Sequence, residues 1–269
     1  MTGSTAGEGG VARRPRQASP RALALGAAAV FAVGVLIALG VLLRGSSNGP
    51  SVPRLLRSLP AVGDATGPLA LPGAPDANAL FEGIPQNGLV LGSPHAPVEL
   101  EMFVDVQCPF CRNYETSYLP ALVRRYIRPG KVKLYLQPWA LIGPQSQTGR
   151  LALIAASFQN RAFEFAQVLY DNQGEENTGW LTDERIGQIG ASVSGLDLRE
   201  LFADMRGSGA SSIGDAVDAL AKRDNVQVTP TVLVGLAGEK LRDIAASPLN
   251  SPTLSDTERA LDTALSASR

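Results

Sequence analysis

The sequence predicts an α/β sheet domain carrying a helical insertion and preceded by a single transmembrane helix. Three observations carry this. An uncharged apolar run fills Ala22 to Leu43. Segments of strand character at Val98 to Val106, Val132 to Leu136 and Thr231 to Val234 bracket a long block of helical periodicity. The two cysteines fall three positions apart, just where the first of those strands ends. The 269 residues leave room for one sizeable domain plus flanking segments, and a hydrophobic content of 45% supports a real core. The formal net charge is -1, so the electrostatic footprint of a nucleic-acid partner is missing.

Residues 1–21 are rich in Gly, Ser, Thr, Ala and Arg without apolar periodicity, and a disordered cytoplasmic N-terminus is expected there. The apolar run at 22–43, as a helix, spans about 33 Å, enough to cross a bilayer. A buried core helix is the competing reading. The run is apolar all round and bracketed by Arg21 and Arg44, which favours the membrane. Arg13, Arg14, Arg16 and Arg21 precede it, whereas Arg44, Arg54 and Arg57 follow more thinly. The positive-inside rule then puts the N-terminus in the cytoplasm and the rest outside. A cleaved signal peptide has a shorter apolar stretch, about 7–15 residues, and a small-residue cleavage site. Val41-Leu42-Leu43-Arg44 offers no such site, so an uncleaved anchor is expected. Arg13-Arg14 hints at twin-arginine export, but Pro15 spoils the pattern. Residues 44–87, full of Pro, Gly, Ser and Ala, read as a linker, with a short helix possible around Leu55, Leu56 and Leu59.

The folded domain is placed at 88–269. Gly88 to Gly92 reads as a short strand, and Ser93 to Pro97 as a turn. Val98 to Val106 should be a central strand running into Gln107-Cys108. Tyr114, Tyr118, Leu122 and Tyr126 recur at helical spacing after the cysteines, with Pro120 expected to kink that helix and Arg128-Pro129-Gly130 to stop it. Val132 to Leu136 alternates as a strand. The helical insertion covers about 145–223. Its stripes are Leu151, Ile154, Ala155 and Phe158, then Phe163, Ala166, Leu169 and Tyr170. Thr182 is a candidate N-cap, Asp197 with Glu200 resembles a capping box, and Ile213, Val217 and Leu220 mark a further helix. Val226-Gln227-Val228 returns to strand character ahead of Thr229-Pro230 and the strand from Thr231. A last helix is expected from Ser255, capped with Glu258, burying Leu261 and Leu265.

Two cysteines and one histidine, His95, cannot make a four-ligand structural zinc site, and a secreted disulfide scaffold needs more cysteines at wider spacing. No metal and no cofactor are expected. Cys108-Pro109-Phe110-Cys111 is therefore a redox pair or two inert buried cysteines. The attacking species in disulfide exchange is the thiolate, and an ordinary cysteine, pKa ≈ 8.5, is mostly protonated at neutral pH. A helix N-terminus at Cys108 aims unpaired N–H groups and the positive dipole end at its sulfur, lowering that value. Pro109 suits the first helical position, where its missing N–H costs little. Cys111, one turn further in, is more shielded. Cys108 is thus expected to attack and Cys111 to resolve, through a mixed disulfide on Cys108. His95 reads as a surface turn residue, and Trp139 and Trp180 as packing residues.

Several segments together resemble the DsbA-like branch of the thioredoxin superfamily, over about 88–269. They are Ala96-Pro97-Val98, Phe103, Asp105, Cys108-Pro109-Phe110-Cys111, Leu119-Pro120-Ala121-Leu122, Gly130-Lys131-Val132, Asp171-Asn172-Gln173 and Val228-Thr229-Pro230-Thr231. The resemblance implies a thioredoxin-like fold. It also implies that Pro230 is a cis-proline facing the cysteines, with substrate backbone pairing at Thr229; the plain alternative is a turn or edge-strand proline. Two departures stand out. Where proteins of this branch often carry a buried glutamate, six positions before the first cysteine, this chain has Met102. Glu101 points to the opposite face by strand alternation. Asp105 is left as a candidate acid or a strand-end carboxylate. The second departure is Phe110, where the strongest oxidants of the branch carry a thiolate-stabilising histidine. A milder oxidant is expected.

The resemblance implies a membrane-anchored oxidase acting on reduced exported proteins and reoxidised by a membrane redox partner of the DsbB or VKOR type. An isomerase or reductase using the same cysteines is the second reading, and a non-catalytic binding module the third. A monomer is the default expectation.

Overall fold

The chain divides into two units, Met1–Gly45 and Ser46–Arg269, and the described residues all belong to the second. The computed structural model describes residues 59–245 and 251–269. The expected N-terminal stretch, the apolar run 22–43 and the first part of the proposed linker lie outside the described residues. Among the described residues no helix is long and apolar enough to cross a membrane.

Helix α1 (Ala74–Phe81) comes first, followed by the two-residue strands β1 (Gln86–Asn87) and β2 (Val90–Leu91). Strand β3 (Val98–Val104) leads to the cysteines. A composite helix follows: α2 (Pro109–Asn113), a π segment (Tyr114–Tyr118), α3 (Leu119–Leu122) and a second π segment (Val123–Ile127). After β4 (Val132–Pro138) come five helices, α4 (Pro144–Ser157), α5 (Ala162–Asp171), α6 (Asp183–Ala191), α7 (Leu198–Met205) and α8 (Ser208–Arg223). Strands β5 (Thr231–Leu236) and β6 (Arg242–Asp243) and helix α9 (Leu254–Ala267) complete the chain. The sheet order is β1-β2-β4-β3-β5-β6. Strand β3 lies centrally, parallel to β4 and antiparallel to β5, with Met102 opposite Leu136 and Val232. This is the thioredoxin-like α/β fold with a helical insertion.

Alternation along β3 divides the residues between two cores. Val98, Leu100, Met102 and Val104 enter the main core, with Leu122, Tyr126, Val132, Leu134, Val232 and Leu261. Phe103 enters a smaller one on the other face, with Leu233 of β5 and Val217 and Ala221 of α8. Pro120 lacks the N–H an α ladder needs. The chain stays helical by widening on either side: the Leu119 N–H bonds to the Tyr114 carbonyl and the Arg128 N–H to Val123, both five residues back. Thr182 and Asp197 cap α6 and α7 as their sequences predict, accepting from Arg185 N and from Arg199 N and Glu200 N.

Three expectations need correcting. Residues 59–87 are not linker. Ala74, Ala77 and Phe81 of α1 are buried, and Gly63 and Asp64 bond by backbone to Leu196 and Ala191. The Pro/Gly composition concealed an apolar stripe that docks against the insertion. Val226–Val228 does not join the sheet. Asn225 turns left-handed (φ 55°), and the Val226 N–H closes the end of α8 on the Ala221 carbonyl, so the ladder starts at Thr231. Helix α9 is capped by Thr253, not Ser255. Asp256 answers it in a capping box, because Asp256 and not Glu258 stands three residues past the residue with extended backbone.

Candidate functional site: a dithiol at the end of the central strand

Strand β3 delivers the chain into a short loop, and Cys108 becomes the N-cap of α2 with extended backbone (φ -71°, ψ 122°). Its sulfur accepts from the Cys111 N–H at 3.4 Å, the donor left free by the helix start. The thiol form donates to the Thr229 carbonyl at 3.3 Å. That bond favours the protonated state, but more donors favour the thiolate. The Cys111 side chain, the Cys111 N–H, the Thr229 hydroxyl and the Phe110 N–H hold Cys108 down to about 6 against the desolvation of its site. Cys111 is wholly buried and goes the other way, pushed up by burial and then by Cys108. Its sulfur accepts from the Asp105 N–H at 3.4 Å. Both cysteines are free thiols in the structure. Two chemically identical side chains are thus made unequal by position alone.

The structure brings Thr229 against Cys108, and the Thr229–Pro230 bond is cis, as the resemblance implies. Pro109 occupies the first turn of α2, exposed. Phe110 is 65% exposed and presents an aromatic face beside the cysteines. Met102 is buried in the main core. Glu101 lies on the other face, as alternation requires, accepting from Gln137 at 2.8 Å, and burial lifts it to about 7. His95 is an exposed turn residue away from these contacts.

Asp105 is buried, and its carboxylate is occupied. Oδ1 accepts from Gln107 N and Ser146 Oγ, and Oδ2 from Leu141 N and Ile142 N, all at 2.7–2.8 Å. It makes no hydrogen bond to either cysteine among the described residues; only its backbone does so. Of the two sequence readings, the strand-end carboxylate matches this geometry. Asp105 ties the cysteine loop to the entrance of the insertion.

Sequence reasoning missed the side chains that fix that loop. Gln173 Nε2 donates to the Val106 and Cys108 carbonyls at 2.9 and 3.2 Å. Tyr170 donates to the Asp105 carbonyl at 3.1 Å. Gln107 donates to Ser146 and accepts from the Asn177 N–H. The insertion therefore holds the loop through its carbonyls. Asp171-Asn172-Gln173 was visible as a motif, but nothing local indicated that Gln173 reaches back so far. Glu115 was also missed. It is a fully enclosed carboxyl, four residues past Cys111, and burial raises it to about 8.

A sheet of this topology with an N-capping cysteine and its buried partner defines a thiol–disulfide oxidoreductase. The chain belongs to the thioredoxin family, whose family model matches residues 85–247. The relatives include a probable disulfide bond formation protein D of Bacillus cereus, 29% identical over 147 residues, which are 54% of this chain and 68% of the relative. The disulfide bond formation protein D of Bacillus subtilis is 24% identical over 147 residues, 54% of this chain and 66% of its own. Among solved structures, oxidised BdbD from Bacillus subtilis superposes with a TM-score of 0.58 at 21% identity, covering 67% of this chain and 94% of that one. The DsbA of Chlamydia trachomatis gives 0.55 at 17% identity, over 65% and 90%. At those identities the structural likeness establishes the fold.

Proposed function

We propose that this chain is a membrane-anchored, extracytoplasmic oxidase that donates the Cys108–Cys111 disulfide to reduced exported proteins. The observation that carries the proposal is the inequality of the two thiols: Cys108 held down to about 6, Cys111 enclosed and pushed up. A substrate thiolate attacks Cys108 Sγ of the disulfide. The Cys108–Cys111 bond breaks, its electron pair stays on Cys111 Sγ, and that sulfur takes up a proton. A second substrate thiolate then attacks the substrate sulfur of the mixed disulfide. The substrate disulfide forms and Cys108 leaves as a thiolate, which its low pKa makes a good leaving group.

Substrate backbone pairing at Thr229 is what the resemblance implies; the Thr229 carbonyl stands beside the reacting sulfur, and Phe110 offers an exposed apolar face there. The apolar run 22–43 supplies the anchor, and the arginine bias around it supports an extracytoplasmic domain. The two electrons pass on to a membrane redox partner of the DsbB or VKOR type, as the resemblance implies. The relatives named for disulfide bond formation support the oxidative direction.

The test uses the full-length chain, oxidised and mixed with a reduced, unfolded protein substrate. The substrate should gain one disulfide per chain consumed. Cys111→Ala should accumulate mixed disulfides through Cys108, and Cys108→Ala should accumulate none. Free thiols at both positions in intact cells would contradict the oxidase reading.

A further inference from the structure

Between the end of β3 and the start of α2 the chain has left the sheet ladder and not yet entered a helix ladder, so its carbonyls need other donors. The end of α5 supplies them. Tyr170 donates to the Asp105 carbonyl at 3.1 Å, and Gln173 Nε2 donates to the carbonyls of Val106 and Cys108 at 2.9 and 3.2 Å. A primary amide carries two hydrogens, so one nitrogen can serve both carbonyls and clamp the residue between them. That residue, Gln107, is gripped from the same side: its Oε1 accepts from the Asn177 N–H at 2.9 Å.

Among the described residues, Gln173 is the one side chain that bonds to the backbone of Cys108, the residue bearing the reacting sulfur. The Cys108 carbonyl otherwise accepts from the Arg112 N–H at 3.0 Å, which closes the first turn of α2. That carbonyl is a partial negative charge on the residue that carries the thiolate, and a second N–H donated to it offsets the charge. Position matters as much as charge. The Cys108 sulfur sits 3.4 Å from the Cys111 N–H and 3.3 Å from the Thr229 carbonyl, so a small turn of the loop changes both contacts. Gln173 is itself held in place. Its N–H bonds to the Tyr170 carbonyl at 3.3 Å, and the Trp180 ring packs so closely on Gly174 that a Cβ there would lie 2.6 Å from it.

We propose that Gln173 is a positioning residue for disulfide exchange: its amide, clamped across the Val106 and Cys108 carbonyls, holds the Cys108 sulfur against the start of α2 and so lets the helical insertion set the reactivity of the dithiol. No proton or electron passes through Gln173. When the second substrate thiolate releases Cys108, the negative charge lands on a sulfur whose own carbonyl already faces a donor and whose place beside the Cys111 N–H is fixed. Without the amide, the Val106 and Cys108 carbonyls lose their donor from the insertion and the loop is free to turn. The Cys108 thiolate is then less stabilised, leaves more slowly, and the disulfide form gains relative to the dithiol. This rests on the thiol-exchange chemistry of the proposed function but not on its oxidative direction.

The test titrates thiolate absorbance in the reduced full-length chain and compares Gln173→Met, Gln173→Glu and Asn172→Ala. Gln173→Met keeps the length of the side chain and removes the donor; it should raise the Cys108 midpoint from near 6 to about 6.5–7. Gln173→Glu puts a negative charge where the donor stood and should raise the midpoint at least as far. Asn172 is the control: it donates to the Pro72 and Val168 carbonyls at 2.9 Å each, so Asn172→Ala loosens the same end of α5 without touching the loop. It should lose stability and keep the wild-type midpoint. In equilibrium with glutathione at about pH 7, Gln173→Met should be about two- to fivefold less oxidising than the wild type. Folded Gln173 variants with the wild-type midpoint and glutathione equilibrium would overturn the proposal. So would an Asn172→Ala midpoint raised as far as that of Gln173→Met, which would assign the effect to general loosening of α5. A wild type with no thiolate titrating near 6 would instead overturn the inequality of the two thiols on which the proposed function stands.

Discussion

Asp105 and Cys111 are joined through the backbone of one and the side chain of the other: the Asp105 N–H donates to the Cys111 sulfur at 3.4 Å. The same residue's carboxylate gathers four donors from the loop and the start of the insertion. The position of the buried thiol is therefore set by a residue whose side chain is engaged elsewhere. Asp105→Asn replaces one carboxylate oxygen with a donor and leaves it facing other donors. The variant should lose about 2–4 kcal/mol of stability by denaturant unfolding. A variant as stable as the wild type would show that the four bonds do not act together.

The second prediction concerns the other face of the sheet. Glu101 has a folded pKa of about 7, raised from an ordinary 4.5 mainly by burial. An acid with a raised folded value favours the fold while neutral. Its penalty appears as pH rises above about 4.5 and is complete above about 7. Glu101→Gln keeps the oxygen that accepts from Gln137. It should leave stability near pH 4 almost unchanged and raise it near pH 8 by about 1–3 kcal/mol. Equal stabilisation at both pH values would mean that desolvation of the charge is not the cause.

Gly149 carries the third. It lies in α4, where a Cβ would run into the side chains of Val106, just before the cysteines, and Leu181, ahead of α6. The missing side chain lets the insertion approach the strand end. Gly149→Ala should destabilise by about 1–3 kcal/mol despite the better helix propensity of alanine. It should also perturb the loop that Gln107 and Ser146 hold together at 3.0 Å. Thermal unfolding of the variant checks the first effect, and Cys108 alkylation rates check the second.

How much of this was legible in the sequence depends on how local the signal was. The strand-to-helix placement of Cys108 was visible, because strand alternation, a proline at the first helical position and the helix stripe all sit within one short stretch. The Thr182 and Asp197 caps were visible for the same reason. Helix α1 was hidden: its buried residues are two alanines and a phenylalanine within a proline-rich segment, and their burial depends on docking to α5. Glu115 carries no signal of its own in the sequence. What desolvates it is the packing of α5, some fifty residues later in the chain. Gln173 and Ser146 likewise acquire meaning only when the insertion folds back on the cysteine loop.

The most direct test of the account is the titration of thiolate absorbance in the reduced chain. Cys108 has a folded value of about 6 against an ordinary 9. Its thiolate thus stabilises the reduced fold fully above about 9 and loses that contribution as pH falls through about 6. One thiolate should appear with a midpoint near 6, disappear in Cys108→Ala and survive in Cys111→Ala at a higher midpoint, since the Cys111 side chain is the largest influence lowering it. The second thiolate should not form below about 9. Two thiols titrating together near 9 would contradict the inequality of Cys108 and Cys111 on which the proposed function stands.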